Sequence, residues 1–117
     1  MRHTILLLSL SATAGCAAKT SELTSAATAV ASVRPFDEMQ RCLSQSLGDL
    51  RMQVNALPRP GGMTYQVRDF MYLYSVIDLE RTPSGAQVKY AENKKVLQWG
   101  VNGSVKRAVA ACTGSAL

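Results

Sequence analysis

MTYQVRDFMYLYSVIDLERTPSGAQVKYA, residues 63–91, decides the fold class of this chain. Its β-branched, aromatic and aliphatic residues divide into runs of strand length, Met63–Asp69, Phe70–Glu80 and Ala86–Ala91. Arg81-Thr82-Pro83-Ser84-Gly85 is a turn signal between the last two runs, so the sequence predicts a β-hairpin there. Side chains alternate between the faces of a strand. In the run from Phe70 to Glu80, Met71, Leu73, Ile77 and Leu79 form an aliphatic face suited to helices. Phe70, Tyr72, Tyr74 and Val76 form a second apolar face that runs into Asp78 and Glu80.

Outward from this stretch the pattern turns helical. Phe36, Met39, Leu43, Leu47 and Leu50 recur at three- and four-residue steps behind Pro35, with Asp37 and Glu38 at the positive end of the helix dipole. The spacing predicts a helix over about 35–50, with Gly48 as an early stop. Leu57-Pro58-Arg59-Pro60-Gly61-Gly62 reads as a breaker cluster. At the C-terminal side, Val105, Ala108, Val109 and Cys112 share one face of a helix over 104–112, with Ser104 as its cap. Val96–Val101, ahead of Asn102-Gly103, fits either a strand entering a turn or part of that helix.

The expected fold is therefore α+β, a small antiparallel sheet of three to four strands packed by an N-terminal and a C-terminal helix, in the order α-β-β-β-(β)-α. Cys42 and Cys112 both fall on the apolar sides of those helices, and a disulfide between them satisfies every pattern at once. Closing a loop of that length stabilises a small domain by roughly 4 kcal/mol on the chain-entropy model. Two unpaired buried thiols are the alternative.

The chain begins with a short positive start, Met1-Arg2-His3, then an apolar run TILLLSLSA from Thr4 to Ala12, then Thr13-Ala14-Gly15-Cys16. This is the layout of a secretory signal, and the apolar run is far shorter than the ~20 residues of a membrane-spanning helix. The four residues before and at the exit resemble the lipobox of bacterial lipoproteins, in which small residues precede an obligatory cysteine. Thr13 stands where that family favours leucine. The resemblance covers residues 1–16 alone and implies that residues 1–15 are removed and that Cys16 carries lipid. The thiolate is the side chain nucleophilic enough to form the thioether. Acyl chains such as palmitate on the new terminus would anchor the protein stably, since two chains hold where one is marginal. Ala17 resembles the neutral second residue of lipoproteins sent to the outer membrane, which implies a periplasm-facing location in a Gram-negative host. Ordinary cleavage after Ala12-Thr13-Ala14 is the competing reading and would release a soluble chain starting at Gly15.

Residues 16–33, small and polar and without an aromatic, read as a lipidated flexible tether, and residues 34–117 as a single small domain. Removing the signal takes away Arg2, leaving twelve basic against eight acidic side chains. His3, the single histidine, leaves too, which excludes Ser-His and Cys-His nucleophile pairs and His-ligated zinc from the mature chain. The sequence implies no metal and no cofactor. Asp78 and Glu80 lie two residues apart on one strand face, a spacing open to acid/base chemistry, although carboxylates near a hairpin end are usually solvated. Gly100-Val101-Asn102-Gly103 matches a nucleotide-clamping GxxG but is better read as a turn, and no nucleic-acid partner is expected.

Two binding surfaces remain. Phe70, Tyr72 and Tyr74 form an aromatic row suited to another envelope protein, unless loops or the stems of Lys and Arg cover the tyrosines. Lys94, Lys95, Lys106 and Arg107 form a candidate basic patch for an anionic cell-wall polymer or lipid headgroups. The leading expectation is a non-catalytic, membrane-anchored envelope lipoprotein that acts as a protein-binding accessory, inhibitor or immunity-type module. Polymer or headgroup binding comes second, and an enzyme using Asp78 and Glu80 third.

Overall fold

The computed structural model describes residues 28–93 and 101–114. Seven elements follow one another: β1 (Thr28–Ser32), α1 (Phe36–Gly48), β2 (Gln53–Arg59), β3 (Gly62–Arg68), β4 (Leu73–Thr82), β5 (Gly85–Glu92) and α2 (Val101–Thr113). The strands form one antiparallel sheet in the order β1-β5-β4-β3-β2. The class is the expected α+β, with two corrections. There are five strands rather than three to four, and the order is β-α-β-β-β-β-α because a strand precedes the first helix.

That extra strand, β1, comes from the stretch read as tether. Its residues are small and largely exposed, so no hydrophobic period announces it. It is held instead by its partner, pairing from Thr28 opposite Tyr90 to Ser32 opposite Ala86. Gly85 makes the close approach workable, since a Cβ there would run into the backbone of Ser32 and Val33. The second extra strand, β2, includes Leu57-Pro58-Arg59, which the breaker reading excluded. Pro58 is tolerated because β2 is an edge strand, where a missing N–H costs no ladder bond. Pro60 and Gly61, the latter at φ 74°, then close a two-residue turn into β3.

Both helices pack on one face of the sheet. From α1 come Phe36, Met39, Leu43 and Leu47, and from α2 Val105, Ala108, Val109 and Cys112. They meet Tyr65 and Val67 of β3, Ile77 and Leu79 of β4, and Ala86, Val88 and Tyr90 of β5. Burying a large aliphatic side chain in this way contributes about 1.5–3 kcal/mol, so this layer supplies most of the drive to fold. Tyr65 also ties α1 to the sheet: its hydroxyl donates to the Gln40 carbonyl at 3.2 Å and lies 3.0 Å from Ser44 Oγ. Burial pushes that phenol's pKa up, with the Ser44 bond opposing.

Cys42 and Cys112 join the two helices as a disulfide, with Cα atoms 5.7 Å apart. Beside it, Arg34 donates from Nη1 to the Cys112 carbonyl at 2.8 Å, so a cation satisfies a carbonyl at the C-terminal end of α2. Helix α2 already includes Val101, Asn102 and Gly103, so Ser104 is not its cap and the turn expected at Asn102-Gly103 is helical. Residues 1–15, read above as a signal, Cys16, Lys94, Lys95 and most of Val96–Val101 lie outside the described residues. No described helix is long and apolar enough to cross a membrane.

Candidate interaction surface

The other sheet face carries no described helix, and its centre is β4. From Val76 onward the alternation read from the sequence holds: Ile77 and Leu79 join the core, while Val76, Asp78 and Glu80 point away from it. Register places these outward residues against chemically matched neighbours. Thr64 Oγ1 on β3 donates to Asp78 Oδ1 at 2.6 Å. Arg59 at the end of β2 donates from Nη2 to Glu80 Oε1 at 3.0 Å and lies 3.8 Å from Asp78 Oδ1. Lys89 on β5 approaches Glu80 from the opposite side at 3.8 Å. Val76 sits in register between Gln66 and Ala91, and both Val76 and Gln66 are buried. Leu57, in register with Thr64, is 45% exposed beside this array.

Asp78 and Glu80 are therefore half-buried acceptors in a cross-strand charge array rather than a solvated pair at a hairpin end. Cross-strand pairs of this kind fix side-chain positions more than they add stability, each contributing roughly 0.2–1 kcal/mol. Among the described residues no group of three or more His, Cys, Asp or Glu could hold a metal ion.

Below Val76 the ladder becomes irregular, and the strand stops at Leu73 rather than continuing to Phe70. The register slips so that Val67 faces Ser75 but Arg68 faces Leu73, leaving Tyr74 as an extra residue in a bulge. Residues 69–72 form a loop, so Phe70–Glu80 is not one strand and the aromatic row Phe70, Tyr72, Tyr74 is not one face. Tyr74 is only 3% exposed, and its hydroxyl donates to Asp69 Oδ2. Phe70, Met71 and Tyr72 are 90%, 62% and 46% exposed.

Asp69 organises the whole loop. Its Oδ1 accepts from the Met71 and Tyr72 amides, each at 2.7 Å, and its own N–H donates to the Tyr72 carbonyl at 3.1 Å. Those bonds explain the electrostatics. The Tyr74 bond first, and the Met71 amide after it, hold the Asp69 carboxyl below its usual range. The same bond pushes the Tyr74 phenol up to about 12. Behind the loop, Asn93 donates from its backbone to Tyr74 O at 2.8 Å and from Nδ2 to Leu73 O at 3.1 Å. The three apolar side chains thus project from a fixed backbone.

The basic patch is less open than its sequence suggests. Lys106 lies 3.4 Å from Glu92 and 5.9 Å from the centre of the Tyr90 ring, and Arg107 donates to Ser104 Oγ at 3.1 Å. A groove of about 390 Å³ runs beside Cys42, lined by Arg34, Glu38, Arg41 and Gln45. The sequence missed Asp69, Thr64, Arg59 and Lys89 as organisers. The Asp69 signal was an aspartate two and three residues ahead of amides it could cap, while the array depends on strand register that local pattern does not reveal. No family model, curated protein or solved structure matches this chain.

Proposed function

We propose that this chain is a non-catalytic envelope lipoprotein, held to a membrane by lipid on Cys16, that binds another envelope protein across the sheet face opposite α1 and α2. The observation that carries this reading is the array of Arg59, Thr64, Asp78, Glu80 and Lys89 around buried Val76, with exposed Leu57 beside it. Side chains already ordered by one another lose little further freedom when a partner docks. Charges of both signs in fixed places set orientation and reject wrong partners, and an aliphatic anchor at the rim supplies the apolar contact. This moves the expected contact away from Tyr74, which is nearly fully buried and whose hydroxyl is committed to Asp69. The polymer reading is less favoured because Lys106 and Arg107 spend their charge or donors on near neighbours.

The test is co-purification from native membranes. Leu57→Ser combined with Lys89→Gln removes the exposed anchor and one outward cation without setting like charges opposite Asp78, so the variant should unfold within a few degrees of the wild type yet lose its partner at least tenfold. A partner retained by this variant would place the contact elsewhere.

A further inference from the structure

We propose that the loop carrying Phe70, Met71 and Tyr72 is a second membrane contact, seating the domain end-on against the bilayer that holds its lipid. The inference rests on the Cys16 anchor proposed above, and it goes beyond it by fixing which end of the domain faces the membrane.

Strand directions supply the geometry. β1 begins with Thr28 opposite Tyr90, near the end of β5. β2 begins with Gln53 opposite Arg68, and β3 ends at Arg68 opposite Leu73, where β4 begins. Thr28 lies level with Tyr90 and Ile77, midway along β4, and β1 runs from there toward the end that holds the hairpin turns at Pro60-Gly61 and Pro83-Ser84, so the chain approaches the sheet from the side of the β3–β4 loop. Only β5 separates β1 from β4, so the entry point and the start of β4 are about 10 Å apart across the sheet and about 13 Å apart along it. From Cys16 to Thr28 the chain can span at most about 40 Å. A lipid on Cys16 thus leaves this loop within reach of the membrane surface, and the chemistry of the loop selects that end.

What stands at that end has the chemistry of a bilayer interface. Five large hydrophobic side chains are exposed among the described residues, and three of them are consecutive in this loop. Aromatic side chains with a polar tip, such as Tyr72, favour the headgroup level, and Phe and Met favour the acyl boundary beneath it. Arg68 flanks the loop and exposed Arg51 precedes β2, so two cations stand at this end beside exposed Asp49 and the Asp69 carboxylate, which is occupied by the loop amides and Tyr74. The Asp69 bonds matter here because backbone amides that are already paired can approach a dry phase without losing water partners. Seated this way, the charged sheet face stands roughly upright from the membrane, open to a partner beside it.

The experiment uses the full chain, processed by a lipoprotein-competent bacterial host, with p-benzoylphenylalanine placed at position 70 or, as control, at position 83 in the opposite turn. After irradiation of intact cells, the adduct and the intact mass of the purified protein are read together. The expected result is phospholipid mass at position 70, at least tenfold above position 83, on a chain acylated at Cys16. A protein adduct at position 70, or no lipid adduct on an acylated chain, would overturn the membrane seat while leaving the anchor in place. A chain without acyl mass and without lipid adduct would overturn the anchor, and the seat with it. Position 70 is almost wholly exposed, so the label does not disturb folding.

Discussion

The Tyr74 hydroxyl donates to Asp69 Oδ2, and this single side-chain bond joins the bulge in β4 to the loop that holds Phe70, Met71 and Tyr72 in solvent. Its pH dependence has two sides. Asp69 titrates below its ordinary range when folded, so its contribution is complete above about pH 4 and is lost as pH falls through the lowered value. Tyr74 titrates at about 12 when folded against an ordinary 10.0, so its contribution is complete below about 10 and is lost as pH rises toward 12. Spectrophotometric titration of tyrosine ionisation should therefore show Tyr74 ionising late. Asp69→Asn should bring that ionisation back toward 10.0. An unchanged titration curve in this variant would mean that the bond is absent in solution.

The disulfide closes a 70-residue separation and spans the helix layer. Reduction, or Cys42→Ser with Cys112→Ser, should lower unfolding free energy by about 4 kcal/mol. Denaturant unfolding of the oxidised and reduced protein measures this directly. A difference under about 1 kcal/mol would show that the reduced chain keeps its own restraint in the unfolded state.

Gly85, at φ 153°, lies against the backbone of Ser32 and Val33. Gly85→Ala should cost roughly 2 kcal/mol, through strain at its own backbone and displacement of the facing strand. Amide exchange in β1 should rise more than in β3 or β4. Uniform acceleration across the sheet would argue that the effect is global and not seated at this contact.

Ser75 is fully buried, and its hydroxyl has no hydrogen-bond partner. A buried hydroxyl without a partner costs about 1–3 kcal/mol. Ser75→Ala should therefore stabilise the protein by roughly 1 kcal/mol, read from the urea midpoint. A loss of stability would reveal a bound water serving that hydroxyl.

Much of the helix layer was legible because helical period and burial agree. Met39, Leu43 and Leu47, and Val105, Val109 and Cys112, are core residues at the positions their spacing gave, and the cysteine pairing followed from those two faces. The edges of the sheet were not legible, for two different reasons. β1 has no apolar alternation and depends on β5 and on Gly85, while β2 carries a proline that only an edge position tolerates. At the candidate site, Asp78 and Glu80 were found on the correct face, but their partners Arg59 and Lys89 come from neighbouring strands whose register no local pattern discloses. The aromatic row failed at one residue: the bulge at Tyr74 breaks the period of two, so Phe70 and Tyr72 cannot be projected from the strand that follows.

Under the proposed function this domain works while tethered to a membrane through Cys16. The intact mass of the mature protein from its native host, taken before and after reduction with thiol alkylation, tests it most directly. A chain that begins at Cys16, carries added acyl mass and becomes alkylated at Cys42 and Cys112 only after reduction is the predicted result. An unlipidated chain that begins at Gly15 would contradict the account.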